Sequence, residues 1–163
     1  MIHVGRQVPR VVLSRGWTSL FRPNESLLVR WRLAAFILHC TALLCVADYR
    51  DTLIVRGSLL EGFTQEDFNF FARSANGAVA MTVLCLAVAV AGIFNARTLR
   101  VTGLNLLHAL CHTAGGILLI LVWFYTAHVH RLWHIFYFFN IIPASIEIFS
   151  VVLSYWRGYD MWC

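Results

Sequence analysis

The chain has 163 residues, 60% of them hydrophobic and 13% charged, with a mean hydropathy of +0.70 and a formal net charge of +5. These values exclude a soluble domain of this length and point to an integral membrane protein. The polar segments are too short for a separate globular domain, and no nucleic-acid partner is expected.

A hydrocarbon core of roughly 30 Å takes about 20 helical residues to cross. Four segments have that length and character, approximately 27–47, 74–95, 103–127 and 132–156. The expected fold is all-α, a polytopic membrane protein with a four-transmembrane-helix bundle over residues 27–156. A basic segment, 1–26, precedes the bundle and a short tail, 157–163, comes after it.

The first 24 residues carry four arginines and no acid, and lack the apolar core of a secretory signal peptide. Such a tail suits attraction to anionic cytosolic lipid and is also compatible with a mitochondrial presequence. Span one has only 15 uncharged residues, Leu33 to Ala47, so Arg30 and Arg32 are expected to snorkel to the surface.

The connection 48–73 ends in a specific signal. In Phe63-Thr64-Gln65-Glu66-Asp67-Phe68, Thr64 is placed to cap a helix whose first turn carries acids. Phe63 and Phe68 then take the two positions of a hydrophobic staple, and helix two starts near Gln65. The short connections at 97–102 and 128–131 make antiparallel hairpins of spans two to four. Ala87, Ala89, Ala91 and Gly92 in span two, and Gly115-Gly116 in span three, offer flat surfaces for close helix contact. Trp123, Tyr125, Trp133, Tyr137, Tyr155 and Trp156 form an aromatic belt. Four of the five cysteines fall inside spans and make no disulfide framework.

All 13 basic residues are arginine. Nine fall on the side of the termini and four on the other, which also holds Asp48, Asp51, Glu61, Glu66 and Asp67. The positive-inside rule therefore puts both termini in the cytosol and makes 48–73 a luminal or extracellular loop. On this topology the sequon Asn24-Glu25-Ser26 stays unglycosylated.

Span four contains Asn140, Pro143 and Glu147. A carboxylate near the bilayer centre costs roughly 2.5 kcal/mol or more and needs a partner. A turn centred near residue 129 or 130 puts His112 at the depth of Glu147. Pro143 cannot donate to the carbonyl of Phe139, and the resulting kink opens the backbone beside the carboxylate.

Three readings of these groups compete. In the first, His112, Asn140, Pro143 and Glu147 are structural residues that set the packing of span four on span three. A proton or ion relay is the second. The third is a metal or haem site, drawing on the i, i+4 pair His108 and His112 with Glu147, on His39, or on the cluster His128, His130 and His134. No metalloenzyme signature is matched and no catalytic arrangement is visible, so the first reading, without cofactor, is preferred. It expects Glu147→Gln to be tolerated and Glu147→Leu to lower assembly.

From His112 to Glu147 the chain resembles the transmembrane protein 107 family of the ciliary transition zone. The resemblance rests on a histidine in span three, the aromatic run Trp133-His134-Ile135-Phe136 and the motif Pro143-Ala144-Ser145-Ile146-Glu147. Phe63 to Phe68 is similar to that family's start of helix two, and Arg32-Leu33 through His39 to its first span. The resemblance implies a non-enzymatic four-span scaffold with cytosolic termini. It would sit in the membrane at the base of the cilium or flagellum, among lipids and the membrane and coiled-coil proteins of the Meckel syndrome module, and help build the diffusion gate. The basic N-terminal extension, the longer first luminal loop and the absence of a lysine-rich tail depart from the family pattern. The alternative is a small transporter-like or haem- or metal-binding membrane protein, with the mitochondrion as one compatible location.

Overall fold

A computed structural model describes residues 25–94, Leu99 and 101–156. The basic segment up to Asn24, with its sequon asparagine, and the tail 157–163 lie outside the described residues. The elements are α1 (Glu25–Asp48), α2 (Arg50–Gly57), α3 (Gln65–Phe94), α4 (Thr102–Phe124), α5 (His130–Phe136), a π-helical turn (Tyr137–Ile141) and α6 (Ile142–Trp156). No strand occurs among the described residues.

Four helical stretches are long and apolar enough to cross a membrane: Leu27–Asp48, Gln65–Phe94, Thr102–Phe124 and His130–Leu153, the last combining α5, the π turn and α6. Their outer faces carry Ile37, Leu44, Leu84, Ile117, Phe138, Ile148 and Phe149, all exposed. In water this surface would drive aggregation; in a bilayer lipid tails cover it.

The first three spans each turn a stripe inward at three- and four-residue steps, the periodicity of one helix face. In α1 the stripe is Leu28, Arg32, Ala35, His39, Ala42 and Val46. In α4 it is Asn105, His108, His112, Gly115, Leu119 and Val122. In α3 it is Ala75, Ala78, Thr82, Leu86, Ala89 and Gly92. Of the small residues expected at the α3 contact, Ala89 and Gly92 face inward, whereas Ala87 and Ala91 are exposed.

The main contact in the bundle joins α1 to α4. It forms where Gly115 and Gly116 cross α1: a Cβ at Gly116 would stand 3.3 Å from the His39 backbone, and one at Gly115 would meet the His39 ring. Small residues let two backbones come this close. The last span lies between α3 and α4, so spans two and three, although joined by a short connection, face each other across the bundle and do not pair as the expected hairpin. A short connection brings helix ends together; side-chain packing decides which helices touch along their length.

The connection after span one contains α2, for which the sequence carries no periodic signal. Thr52, Ile54 and Val55 are weak helix formers, and the helix is held by tertiary contacts. Leu53 and Ile54 are fully buried, and the Ser58 hydroxyl accepts a hydrogen bond from the Val129 amide at 3.0 Å. Gly57 lies against the backbone of Thr126 and Ala127, where a Cβ would collide with the Thr126 carbonyl. Thr126 itself adopts a left-handed φ of 45° and lies in the reversal between α4 and α5.

The start of α3 is set by local chemistry. The Asp67 amide donates to the Thr64 hydroxyl at 3.2 Å, and the Asp67 carboxylate accepts from the Thr64 amide at 3.0 Å and the Thr64 hydroxyl at 2.8 Å. This reciprocal pair is a capping box with aspartate in place of the usual glutamate. Phe68 is half-buried against the core and Phe63 is exposed. Farther along α3, the Trp133 indole donates to the Ser74 hydroxyl at 3.0 Å, tying α3 to α5.

Candidate functional site: a buried ionic cluster joining the four spans

Glu147 lies on α6, one helical turn after Pro143. Proline lacks the amide that would continue the α-helical ladder, and the preceding residues, Tyr137–Ile141, adopt a π-helical turn. Such a turn inserts one residue and rotates the rest of the helix about its axis. Asn140, in this turn, is buried and donates to the Ile135 carbonyl at 3.4 Å. It makes no hydrogen bond to the ionic cluster.

The carboxylate of Glu147 is buried and meets two side chains. Its Oε2 lies 3.2 Å from Nη2 of Arg32 and 3.0 Å from Nε2 of His108. Arg32 also donates from Nη1 to Oδ1 of Asn105 at 2.9 Å. The amide of Asn105 in turn donates to the Leu99 carbonyl at 2.6 Å. Gly92 on α3 closes the cage, since a Cβ there would collide with the Glu147 carboxylate. One arginine and one glutamate therefore form a neutral pair, with donors and acceptors drawn from α1, α4 and α6 and space supplied by α3.

Two expectations are corrected by this arrangement. Arg32 does not snorkel: it is 1% exposed, whereas Arg30, two residues away on the opposite face, is exposed. His112 is not the partner of Glu147; His108, one turn earlier, is. The reversal between the end of α4 at Phe124 and the start of α5 at His130 is centred near position 127, rather than near 129 or 130. Each residue by which the centre moves shifts the depth-matched partner by two, so this displacement of about two residues moves the partner by about one turn.

His112 continues the line into the bundle. Its Nε2 is 3.5 Å from Nδ1 of His108, and its ring packs edge-on against those of His39 and Phe36, with centroids 5.3 Å and 5.8 Å apart. Both ring nitrogens of His39 lack a hydrogen-bond partner. Among the described residues no three His, Cys, Asp or Glu side chains converge as a metal site.

Arg32 lies seven residues into α1, His108 six into α4 and Glu147 nine before the end of α6. At 1.5 Å per residue the cluster is about 9–14 Å inside the end of the bundle that holds the α3–α4 connection. It thus lies between that end and the middle of the bundle. Arg32 and Asn105 were not among the expected site residues, His108 was considered only as a metal ligand beside His112, and Gly92 only as a surface for close helix contact, yet the sequence contains a signal for the first three. Arg32 shares a heptad-like stripe with His39, and Asn105 and His108 share one with His112; a helical wheel turns all of these inward.

The fold and the cluster define an all-α polytopic membrane protein whose four spans are locked together by a buried ion pair. Residues 28–151 match the TMEM107 transmembrane protein family, and the chain belongs to that family. No curated protein and no solved structure matches it.

Proposed function

We infer that the protein is a non-enzymatic membrane scaffold of the ciliary or flagellar transition zone, with both termini cytosolic. It helps assemble the Meckel syndrome module and the diffusion gate that controls ciliary membrane composition. Membership of the TMEM107 family over residues 28–151 carries this reading. The chemistry of the cluster agrees with it. Arg32 binds both Glu147 and Asn105, and His108 contacts the same carboxylate, so groups from three spans are held together, the behaviour of residues that fix the register of a bundle.

Imaging tests this function. The C-terminus is tagged at its native locus and compared with a basal-body marker. The expected signal is a focus just distal to the marker, with proximity labelling recovering transition-zone membrane and coiled-coil proteins. A mitochondrial or diffuse endomembrane signal refutes the assignment.

A further inference from the structure

At the other end of the bundle from the ionic cluster, a cavity of about 900 Å³ opens between α4 and α5. Its two halves differ in chemistry. Leu118, Leu121 and Ile135 form an apolar wall, and His128, Arg131 and His134 form a polar rim. Leu121 is 42% exposed and runs into the lipid-facing surface that includes Ile117. The cavity is therefore continuous with the hydrocarbon region on one side and with the headgroup region on the other.

The rim is built to donate to an anion. Arg131 has no ion-pair partner among the described residues, and no carboxylate lines the cavity. Arg50, by contrast, is held by Asp51 and Asn76. The Nδ1 of His128 accepts the His130 amide at 3.1 Å, which fixes the neutral ring as the Nε2–H tautomer and leaves that donor available. Arginine is the side chain best suited to bidentate contact with phosphate. Cavities of this volume with apolar walls and a few convergent polar groups are typical ligand sites.

We propose that this cavity binds one anionic phospholipid from the leaflet at the α2 end of the bundle. The lipid phosphate sits against Arg131 and His128, and an acyl chain lies along Leu118, Leu121 and Ile135. The site is independent of the scaffold role and does not depend on which compartment that leaflet faces.

The full chain, purified in detergent, is titrated with dioleoylphosphatidylglycerol or dioleoylphosphatidylcholine and read by native mass spectrometry. One phosphatidylglycerol is expected to bind in preference to phosphatidylcholine. Loss of a charge-assisted contact in Arg131→Gln weakens it about tenfold. Arg56→Gln, which removes the same charge outside the cavity, leaves binding unchanged, and Leu118→Trp, which fills the apolar wall, expels the lipid. Equal retention of the two lipids, or equal losses in Arg131→Gln and Arg56→Gln, overturns the proposal. Inorganic phosphate serves as a competitor: displacement of the lipid at millimolar phosphate would assign the rim to a free anion and overturn the lipid assignment.

Discussion

Arg32 of the first span and Glu147 of the fourth meet at 3.2 Å, both buried, although 115 positions separate them in the chain. Two opposite charges in a low-dielectric interior are costly to desolvate and costlier to separate. The pair is therefore an address: it is satisfied only when α1 and α6 reach one depth and face each other. Asn105 and His108 add the same condition for α4.

Removing one member leaves the other charge buried without its counterion. Arg32→Met or Glu147→Leu is each expected to destabilise the bundle by about 3–5 kcal/mol. The double variant Arg32→Met/Glu147→Leu is expected to recover much of that loss. Because Arg32 keeps its charge, Glu147→Gln is also expected to destabilise, which reverses the tolerance inferred from sequence alone. Thermal aggregation of the detergent-purified variants, followed by fluorescence-detected size-exclusion chromatography, measures all four. Additive losses in the double variant would show that the two side chains do not act as a pair.

The buried histidines separate into two classes. His108 contacts the Glu147 carboxylate, whereas neither ring nitrogen of His39 has a hydrogen-bond partner. Truncating one partner of a buried polar contact costs more than replacing a polar group that has no contact to lose. His39→Leu is accordingly expected to keep or raise thermal stability, and His108→Leu to lower it by about 1–3 kcal/mol. The same chromatographic assay ranks the two; a larger loss in His39→Leu contradicts the assignment.

The elements that can be read from sequence are those set locally. Apolar run length gives the four spans, and Thr64 with Asp67 gives the start of α3 through three hydrogen bonds within one turn. Gly115 and Gly116 announce a close crossing, but not that α1 is the helix that crosses. The burial of Arg32 is hidden from a count of span length: the run of uncharged residues starts at Leu33, while the inward stripe of the helix starts at Leu28. α2 is invisible to periodicity because Leu53 and Ile54 are buried by tertiary contacts formed far along the chain. The shift from His112 to His108 follows from where α4 ends and α5 begins, a boundary that includes a left-handed φ at Thr126, in a residue that seldom adopts it.

That conformation can be tested alone. A β-branched residue at positive φ carries strain of about 1–2 kcal/mol, which glycine avoids at the cost of a looser unfolded chain. Thr126→Gly is expected to be neutral or mildly stabilising, and Thr126→Val to gain nothing, since the branched Cβ remains. Differential scanning fluorimetry in detergent distinguishes them. A clear loss of stability in Thr126→Gly would mean that the threonine side chain, rather than the turn geometry, holds α4 to α5.

Gly92 supplies the most local test of the cluster. Any Cβ at this position collides with the Glu147 carboxylate, whereas a Cβ at Gly103, on α4, meets nothing within 4 Å. Both glycines are helical, so alanine improves helix propensity at each by up to about 1 kcal/mol. Only at Gly92 must a buried charge move away from Arg32 to make room, and overpacking of this kind costs about 1–3 kcal/mol. Gly103→Ala is therefore expected to raise the unfolding temperature slightly and Gly92→Ala to lower it. Adding Glu147→Leu/Arg32→Met removes the charges that Gly92 accommodates, so the penalty of Gly92→Ala should shrink in that background. An unchanged penalty would place the collision with the helix packing of α3 rather than with the carboxylate.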